Sequence, residues 1–367
     1  MSELTCGFIG LGLIGGSIAK ALRAAFPDVK IIAYDTNPET LSLAAREGIA
    51  DVCAPGITSL FSECHYLFLC APVSHNDRNL EELKTILSPG CILTDVGSVK
   101  STTHAHVAAA GLSRQFIGGH PMAGSERIGY QNSKALLLQN AYYILTPSAE
   151  VPYDRLLAMQ NLVEKLGAIP LVLSCEQHDF VTAAISHLPH VVAASLVNMV
   201  RETDTEDGIM KQIAAGGFKD ITRIASSSPI MWQQICLTNG ENISRLLSAY
   251  IDLLMQAKTA LDGRDAEALY RLFSDARTYR ESFSNASAGP IKRVFDLTVD
   301  IADKPGSIAA IVTLLASQGL NIKNIGITHN REVAEGAMRI EFYEEADVAK
   351  GAALLKDSGY ETFGLSL

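Results

Sequence analysis

No block of basic residues interrupts this chain, tryptophan occurs only at Trp232, and its seven cysteines form no C-x-x-C pair. Each absence excludes something. Without a Lys/Arg-rich stretch, and with a net charge of −10, nucleic acid and anionic membrane surfaces are poor partners. The acidity reads as plain solubility. An odd number of cysteines without framework spacing, several inside apolar runs such as YLFLCAP, reads as reduced, mostly buried thiols and a cytoplasmic protein. The apolar N-terminus has no Lys or Arg before Lys20 and is crowded with glycine, so it is a poor signal peptide. No run approaches the ~18 clean apolar residues of a membrane span. Low-complexity tracts and short repeats are missing too. What is present is 48% hydrophobic against 19% charged residues, enough for sizeable cores. The length of 367 residues fits two or three domains.

Three compositional regions follow one another. Over 1–175, apolar runs alternate with helical patterns: LTCGFIG, KIIAYD, YLFLCAP, CILTDVGS, QFIGGHP, AYYILTP and IPLVLSC. This is the signature of an α/β fold, a mostly parallel sheet with helices on both faces. Over 176–283 the strand signal vanishes, and 176–200, 205–225, 229–262 and 265–283 read as helices of an all-α domain. Within it, HVVAASLVNMV is too apolar for a solvent face and is expected to be buried, with a second subunit as one cover. Residues 284–294 are a linker that opens with SNASAGP. The tail, 295–367, reads β-α-β-β-α-β, the ferredoxin-like order, with Gly319 placed to cap its first helix.

The glycine loop Gly10-Leu11-Gly12-Leu13-Ile14-Gly15 sits between an apolar strand and the helix SIAKALRAAF. Gly10 permits a tight turn, Gly12 a close approach to a pyrophosphate, and Gly15 close packing of helix on strand. Asp35 ends the second strand 20 residues after Gly15, where a carboxylate accepts hydrogen bonds from a ribose 2′-hydroxyl and repels a 2′-phosphate. The expected cofactor is therefore NAD, held by Gly10, Gly12, Leu13, Ile14, Gly15 and Asp35. Asn37 leaves NADP less strictly excluded. Pro72 closes one strand, Asp95–Ser98 the next, and GGHPMAGSE follows a third, so all converge on the crevice at the carboxyl edge of the sheet.

Of nine histidines, His65, His75, His104, His106, His178 and His329 have no distinguishing context and are assigned to surface or packing roles. His120 is different, because the crevice sets it beside the nicotinamide. There an imidazole can take a proton from a substrate hydroxyl as hydride leaves the same carbon. The alternative is a structural histidine at a strand end. His187 and His190, in SHLPH, share one helix face. Pro189 bends that helix, either as a simple kink in the core or so as to aim His190, and with it His187, into the inter-domain cleft. No Glu or Cys stands at a spacing that would complete a zinc site, so no metal is expected. In AAGGFKDITR, Asp220 and Arg223 form either a surface ion pair or a device in which Arg223 grips a carboxylate bidentately. Trp232 is a packing residue by first reading.

Taken in order, GLGLIGGS, YD, DVGSVKS, GGHPMAGSE, SHLPH, GGFKDITRIA and SPIMWQQICLTN resemble the prephenate dehydrogenases. The tail from FDLTVDIADKPGSIAAI onward resembles an ACT domain. The resemblance implies oxidative decarboxylation of prephenate to 4-hydroxyphenylpyruvate with NAD, in tyrosine biosynthesis. It implies that His120 accepts the C4 hydroxyl's hydrogen bond and that Ser98 orients hydroxyl, imidazole and nicotinamide. Arg223 would bind the ring carboxylate, with Asp220 supporting it. His190 would place the pyruvyl chain, and Ser125 and Glu126 would line the pocket. In the ACT module, the loop Asp303, Pro305, Gly306 with Asn321 and Asn324 would bind L-tyrosine as feedback effector, or the module serves dimerisation alone. A homodimer through the helical domain is expected.

Three rivals stand beside this reading. Arogenate dehydrogenase needs the same His, Ser and Arg. A 3-hydroxyacid dehydrogenase would use a lysine. A non-catalytic sensor would not need His120, Ser98 and Arg223 together.

Overall fold

Strand residues alternate between two faces, and here both faces need cover. In β1 (Thr5–Ile9), β2 (Lys30–Tyr34) and β4 (Tyr66–Leu69), residues Phe8, Ile31 and Phe68 enter one apolar cluster. Their neighbours Ile9, Ile32, Leu67 and Leu69 enter the cluster on the opposite face. With β3 (Val52–Cys53) and β5 (Ile92–Asp95) these strands form a parallel sheet in the order β3-β2-β1-β4-β5. The order reverses between β1 and β4, and that is where a doubly wound sheet opens its ligand crevice. Helices α1 (Leu13–Ala25), α2 (Pro38–Arg46), α3 (Val73–Leu83) and α4 (Ser101–Ala109) follow strands β1, β2, β4 and β5. The computed structural model describes residues 4–71, 73–124, 127–285, 295–302, 304–328 and 337–363. The chain divides into two units, Met1–Asp265 and Ala266–Leu367.

All seven predicted strands of the first region are present, but the mostly parallel sheet stops after β5. The next strand, β6 (Ile117–Pro121), meets β5 through one parallel bridge, Leu93 to Phe116. Then β7 (Tyr142–Pro147) pairs with β6 antiparallel, and β8 (Ile169–Val172) pairs parallel to β7. The connections explain the change of direction. A parallel partner needs a crossover of helix length, and α5 (Tyr153–Lys165) supplies one between β7 and β8. Between β6 and β7 only two 3-10 turns are described, Tyr130–Asn132 and Ala135–Leu138, so the chain returns antiparallel.

A buried ion pair fastens β6 to β5. Lys100 is fully buried and pairs with Asp95 at the end of β5. It also donates to the Gly119 carbonyl at 2.7 Å, while the Gly119 amide donates to Asp95 Oδ1 at 3.1 Å. A Cβ on Gly119 would stand 2.6 Å from the Asp95 carbonyl, so only glycine fits this junction. Burial draws the Lys100 ammonium below its ordinary value, and the Asp95 carboxylate opposes that.

The second region folds as helices. Ser174 opens α6 (Cys175–Thr182) with a reciprocal capping box to Gln177. A π-helical turn, Ala183–His187, then leads into α7 (Leu188–Thr203). Pro189 has no N–H to give this helix, and the wide turn just before it absorbs the mismatch. The joined helix Cys175–Thr203 has 29 residues, and its most apolar 18-residue stretch has a mean hydropathy of 1.6. By length and composition it could cross a membrane, contrary to the sequence expectation. That expectation counted clean runs, whereas the apolar residues here continue past the histidines. The helix nevertheless buries His178, Asp179, Thr182 and His187 inside the protein. Along HVVAASLVNMV only Ala193 is buried by the chain itself, so the expected burial is not provided within one molecule.

The expected helix over 205–225 is split into α8 (Ile209–Ile213) and α9 (Gly216–Thr222), followed by a 3-10 turn, Arg223–Ser226. The split falls at Ala214 and Ala215, which leave helical geometry, while Gly208, at φ +65°, delays the start of α8, capped by the Asp204 carboxylate through the Met210 and Lys211 amides at 2.8 and 3.2 Å. Helices α10 (Pro229–Thr238) and α11 (Gly240–Asp262) close the first unit.

The second unit begins with α12 (Ala266–Asn285). It continues with β9 (Phe295–Asp300), α13 (Ser307–Ser317), β10 (Ile322–Thr328), β11 (Ala337–Phe342), α14 (Glu345–Asp357) and β12 (Thr362–Phe363). The strands form an antiparallel sheet in the order β10-β11-β9-β12 over a core of Leu297, Val299, Ile311, Leu315, Met338, Ile340 and Phe342. Gly319, at φ +71°, ends α13, with its amide on Ala316 O and that of Leu320 on Leu315 O.

Lys100→Met leaves the Asp95 carboxylate buried without its cation. We expect a loss of about 3–5 kcal/mol in denaturant unfolding. A loss under about 1 kcal/mol would show that the ion pair does not hold the β5–β6 junction.

Candidate active site

The glycine loop is shaped as its sequence requires. Gly10 takes φ +96°, and a Cβ there would lie 2.9 Å from the Ala71 amide. A Cβ on Gly15 would lie 2.6 Å from the Gly10 carbonyl, so α1 packs directly on the turn. Gly12 caps α1 and faces open space, with no atom within 4 Å of an added Cβ. Leu13 and Ile14 form the first turn of α1. Half-buried Asp35 accepts the Leu11 amide at 2.7 Å and the Asn37 amide at 2.8 Å, one on each oxygen. Each oxygen keeps a lone pair for a ribose hydroxyl. Beside it runs an open cleft of about 430 Å³ lined by Tyr34, Asp35, Thr36, Pro38, Leu41, Ala54 and Pro55. The residues fit a dinucleotide. Pro72, Ser125, Glu126 and Asp303 lie outside the described residues.

Ser98 is half-buried in the loop after β5, between Asp95 and Lys100, the pair that holds Gly119. His120 is the next residue of β6, so one buried ion pair governs both loops. His120 is itself half-buried, and its Nδ1 lies 2.8 Å from His178 Nε2. His178 Nδ1 in turn lies 2.8 Å from Asp179 Oδ1. Asp179 also accepts the Lys100 amide at 2.7 Å and the Ser101 amide at 2.8 Å, capping α4. His178 takes the packing half of the role assigned to it. It is fully buried, with its two ring nitrogens engaged by His120 and Asp179. His104 does fill a packing role, edge-on to Phe116 and 3.0 Å from Thr146 Oγ1.

His187 and His190 do face the same way, toward Trp232. The His190 ring stacks on the indole at 3.6 Å, and the His187 ring meets it edge-on at 5.9 Å. Asn239 Nδ2 reaches His187 Nδ1 at 3.1 Å and the Asp179 carbonyl at 2.8 Å. His190 Nδ1 donates to the Ser186 carbonyl at 2.9 Å. Trp232 Nε1 is buried and has no hydrogen-bond partner among the described residues. Asp220, on α9, and Arg223, on the turn that follows, are exposed, and both α9 and that turn pack on α7. In the second unit, Pro305 and Gly306 are exposed before α13, with Gly306 at φ +93°. Asn321 precedes β10, and Asn324 lies at a register shift in that strand. Among the described residues no group of three or more His, Cys, Asp or Glu side chains could hold a metal ion.

Electrostatics divides these groups. Burial pushes His120 well below the ordinary imidazole value, aided by His178, Lys100 and His187 and opposed by Asp179. Burial lowers His187 to about 4, and it lowers His190 as well. For Asp179, burial acts upward, but the hydrogen bonds from His178, Ser101 and Lys100 outweigh it and hold the carboxyl at about 2. The result is a neutral imidazole at the sheet edge, backed by a second imidazole and a fixed carboxylate.

Residues 18–171 match the family model described as prephenate dehydrogenase, nucleotide-binding domain, and residues 174–275 match its dimerization domain. The chain belongs to the prephenate dehydrogenase family. It is 38% identical over 357 residues to the prephenate dehydrogenase of Bacillus subtilis, covering 96% of each chain. The crystal structure of prephenate dehydrogenase from A. aeolicus, in complex with hydroxyphenyl propionate and NAD+, is similar at a TM-score of 0.73. It is 34% identical, over 77% of this chain and 99% of that one. Synechocystis arogenate dehydrogenase gives 0.69 at 29% identity, over 76% of this chain and all of that one.

For this family member the acid side of stability follows from His187 and Asp179. Between pH 6.5 and about 4 the unfolded chain protonates His187 while the fold refuses the proton, so stability falls as pH falls. Asp179 adds a further loss between its unfolded value and about 2. We expect unfolding free energy to drop by roughly 3 kcal/mol from His187 over its window. His187→Gln should flatten that slope, and an unchanged slope would assign the loss to other groups.

Proposed function

We propose that the protein is an NAD-dependent prephenate dehydrogenase, giving 4-hydroxyphenylpyruvate and CO2. The observation that carries this is His120, a half-buried imidazole kept neutral at the carboxyl edge of a nucleotide-binding sheet. Gly10, Gly12, Leu13, Ile14, Gly15 and Asp35 hold NAD, with Pro72 and Ser98 along its path. NAD, when bound, accepts the hydride. His120 takes the proton of the substrate's C4 hydroxyl as the hydride leaves that carbon. Ser98 orients the hydroxyl. Loss of the ring carboxylate as CO2 returns its electron pair to the ring, which becomes aromatic, so the protein's task is alignment and charge.

Arg223, supported by Asp220, binds the ring carboxylate. What supports this is the packing of its turn against α7, the helix of His190. His190 and His187 place the pyruvyl chain, with Ser125 and Glu126 lining the pocket. An unpartnered buried indole N–H costs about 1–3 kcal/mol, so Trp232 Nε1 is a donor suited to an oxygen of that chain. The 29% identity to an arogenate dehydrogenase keeps arogenate as the second reading.

The domains are 1–175 for NAD, 176–283 for substrate and dimerisation, a linker over 284–294, and a regulatory module over 295–367. The β-α-β-β-α-β order and the strand order β10-β11-β9-β12 support a ferredoxin-like ACT fold for the last. There Pro305, Gly306, Asn321 and Asn324, with Asp303, bind L-tyrosine. Half-covered apolar residues on α7, with Met199 about half exposed, support a homodimer through the helical domain. The protein works in the cytoplasm.

NADH formation should be measured from prephenate and from arogenate, with NAD and NADP in turn. His120→Asn should lower kcat on the order of 10²–10⁴-fold with little change in substrate binding. Near-normal turnover would remove His120 as the base. Arg223→Ala should chiefly raise KM, and an unchanged KM would remove it from the carboxylate site. Saturating L-tyrosine should inhibit the initial rate. No inhibition would leave the C-terminal module a structural part.

A further inference from the structure

We propose that His178 and Asp179 are positioning residues for the base. They fix the tautomer of His120 and stabilise the positive charge it acquires when it takes a proton. This deepens the reading of His120 as the base and rests on it.

The tautomer follows from what each atom can do. An ionised carboxylate only accepts, so Asp179 Oδ1 receives the Nδ1 proton of His178 at 2.8 Å. With a single proton shared between the two facing ring nitrogens, His178 Nε2 is the bare one and accepts. The atom it faces at 2.8 Å is His120 Nδ1, so that nitrogen carries the proton. His120 is left with an unprotonated Nε2, the lone pair a base requires. When Nε2 takes a substrate proton, His120 becomes a cation with both nitrogens protonated. Its Nδ1–H then lies on a chain that ends at a carboxylate, and its proton can pass to His178 Nε2. That transfer leaves neutral His120 and an imidazolium paired with Asp179, and no atom is lost or gained.

The groups facing His120 come from three elements. Lys100 precedes α4, His178 and Asp179 start α6, and His187 lies in the π turn. Three of these disfavour a cation, and Asp179 alone favours one. Without its carboxylate the cation formed in turnover would lose that support. Asp179 is fixed for the task, because its other acceptor sites are filled by the Lys100 and Ser101 amides at the start of α4.

The test uses the full-length protein with NAD and prephenate. Asp179→Asn should lower kcat on the order of 10²-fold or more while KM for both ligands stays within about twofold. Its kcat/KM profile should lose activity at a lower pH than the parent, because the cation of His120 has lost its stabiliser. Since Asp179 also caps α4, the same pair of residues is probed a second way. His178→Gln keeps an acceptor for His120 Nδ1, whereas His178→Leu does not, so the Gln variant should turn over at least about tenfold faster at matched Tm. Equal rates for the two His178 variants, or an Asp179→Asn enzyme with parental kcat and pH profile, would overturn the proposal. His120→Asn serves as the control that separates the two claims. If it is inactive while the relay variants are normal, His120 is still the base and only the relay fails. If it too is normal, the base assignment itself has failed.

Discussion

The Asp179 carboxylate is the interaction on which the site depends. It is almost wholly buried, and a buried charge survives only when its lone pairs are filled. Two backbone amides at the start of α4 and one imidazole fill them. Each of those partners belongs to a different job. The amides fix the loop that carries Ser98, and the imidazole fixes His120. A helix from the second region thereby sets the geometry of a strand edge in the first.

A second buried charge pair completes the frame. Lys100 and Asp95 draw β6 against β5, though the two strands share only one ladder bridge. Lys100 supplies both an ammonium to this pair and a backbone amide to Asp179. The two networks are thus joined through one residue. Such arrangements contribute little net stability, because desolvation offsets the attraction, but breaking them is costly. What they give is a single allowed position for two loops, which suits chemistry that consists mainly of alignment.

The helical region shows the opposite economy. Its polar face is filled by His178, Asp179, His187 and Asn239, while its apolar face is only half covered by the chain itself. That asymmetry accounts for a helix long and apolar enough to suggest a bilayer by composition alone. The ionisable residues on its inner face belong to a protein interior, and the dimerization-domain match accounts for the outer face.

Much of this was legible in the residues. Short apolar runs located seven strands, and the glycine loop with Asp35 marked the nucleotide crevice, because those patterns depend on neighbours within a few positions. The two-residue β3 had too few residues to carry a period. The direction of β7 was decided by a missing crossover helix, and the late start of α8 by Gly208 and a capping aspartate four residues earlier. The order of motifs settled the family without coordinates. His178 stayed hidden for a different reason. Its meaning lies in a contact with a residue 58 positions away, and no local pattern marks such a pair. Sequence marked His120 as the candidate to take the proton. Tertiary packing decided which ring nitrogen of His120 meets His178, because only the fold chooses the partner across a hydrogen bond.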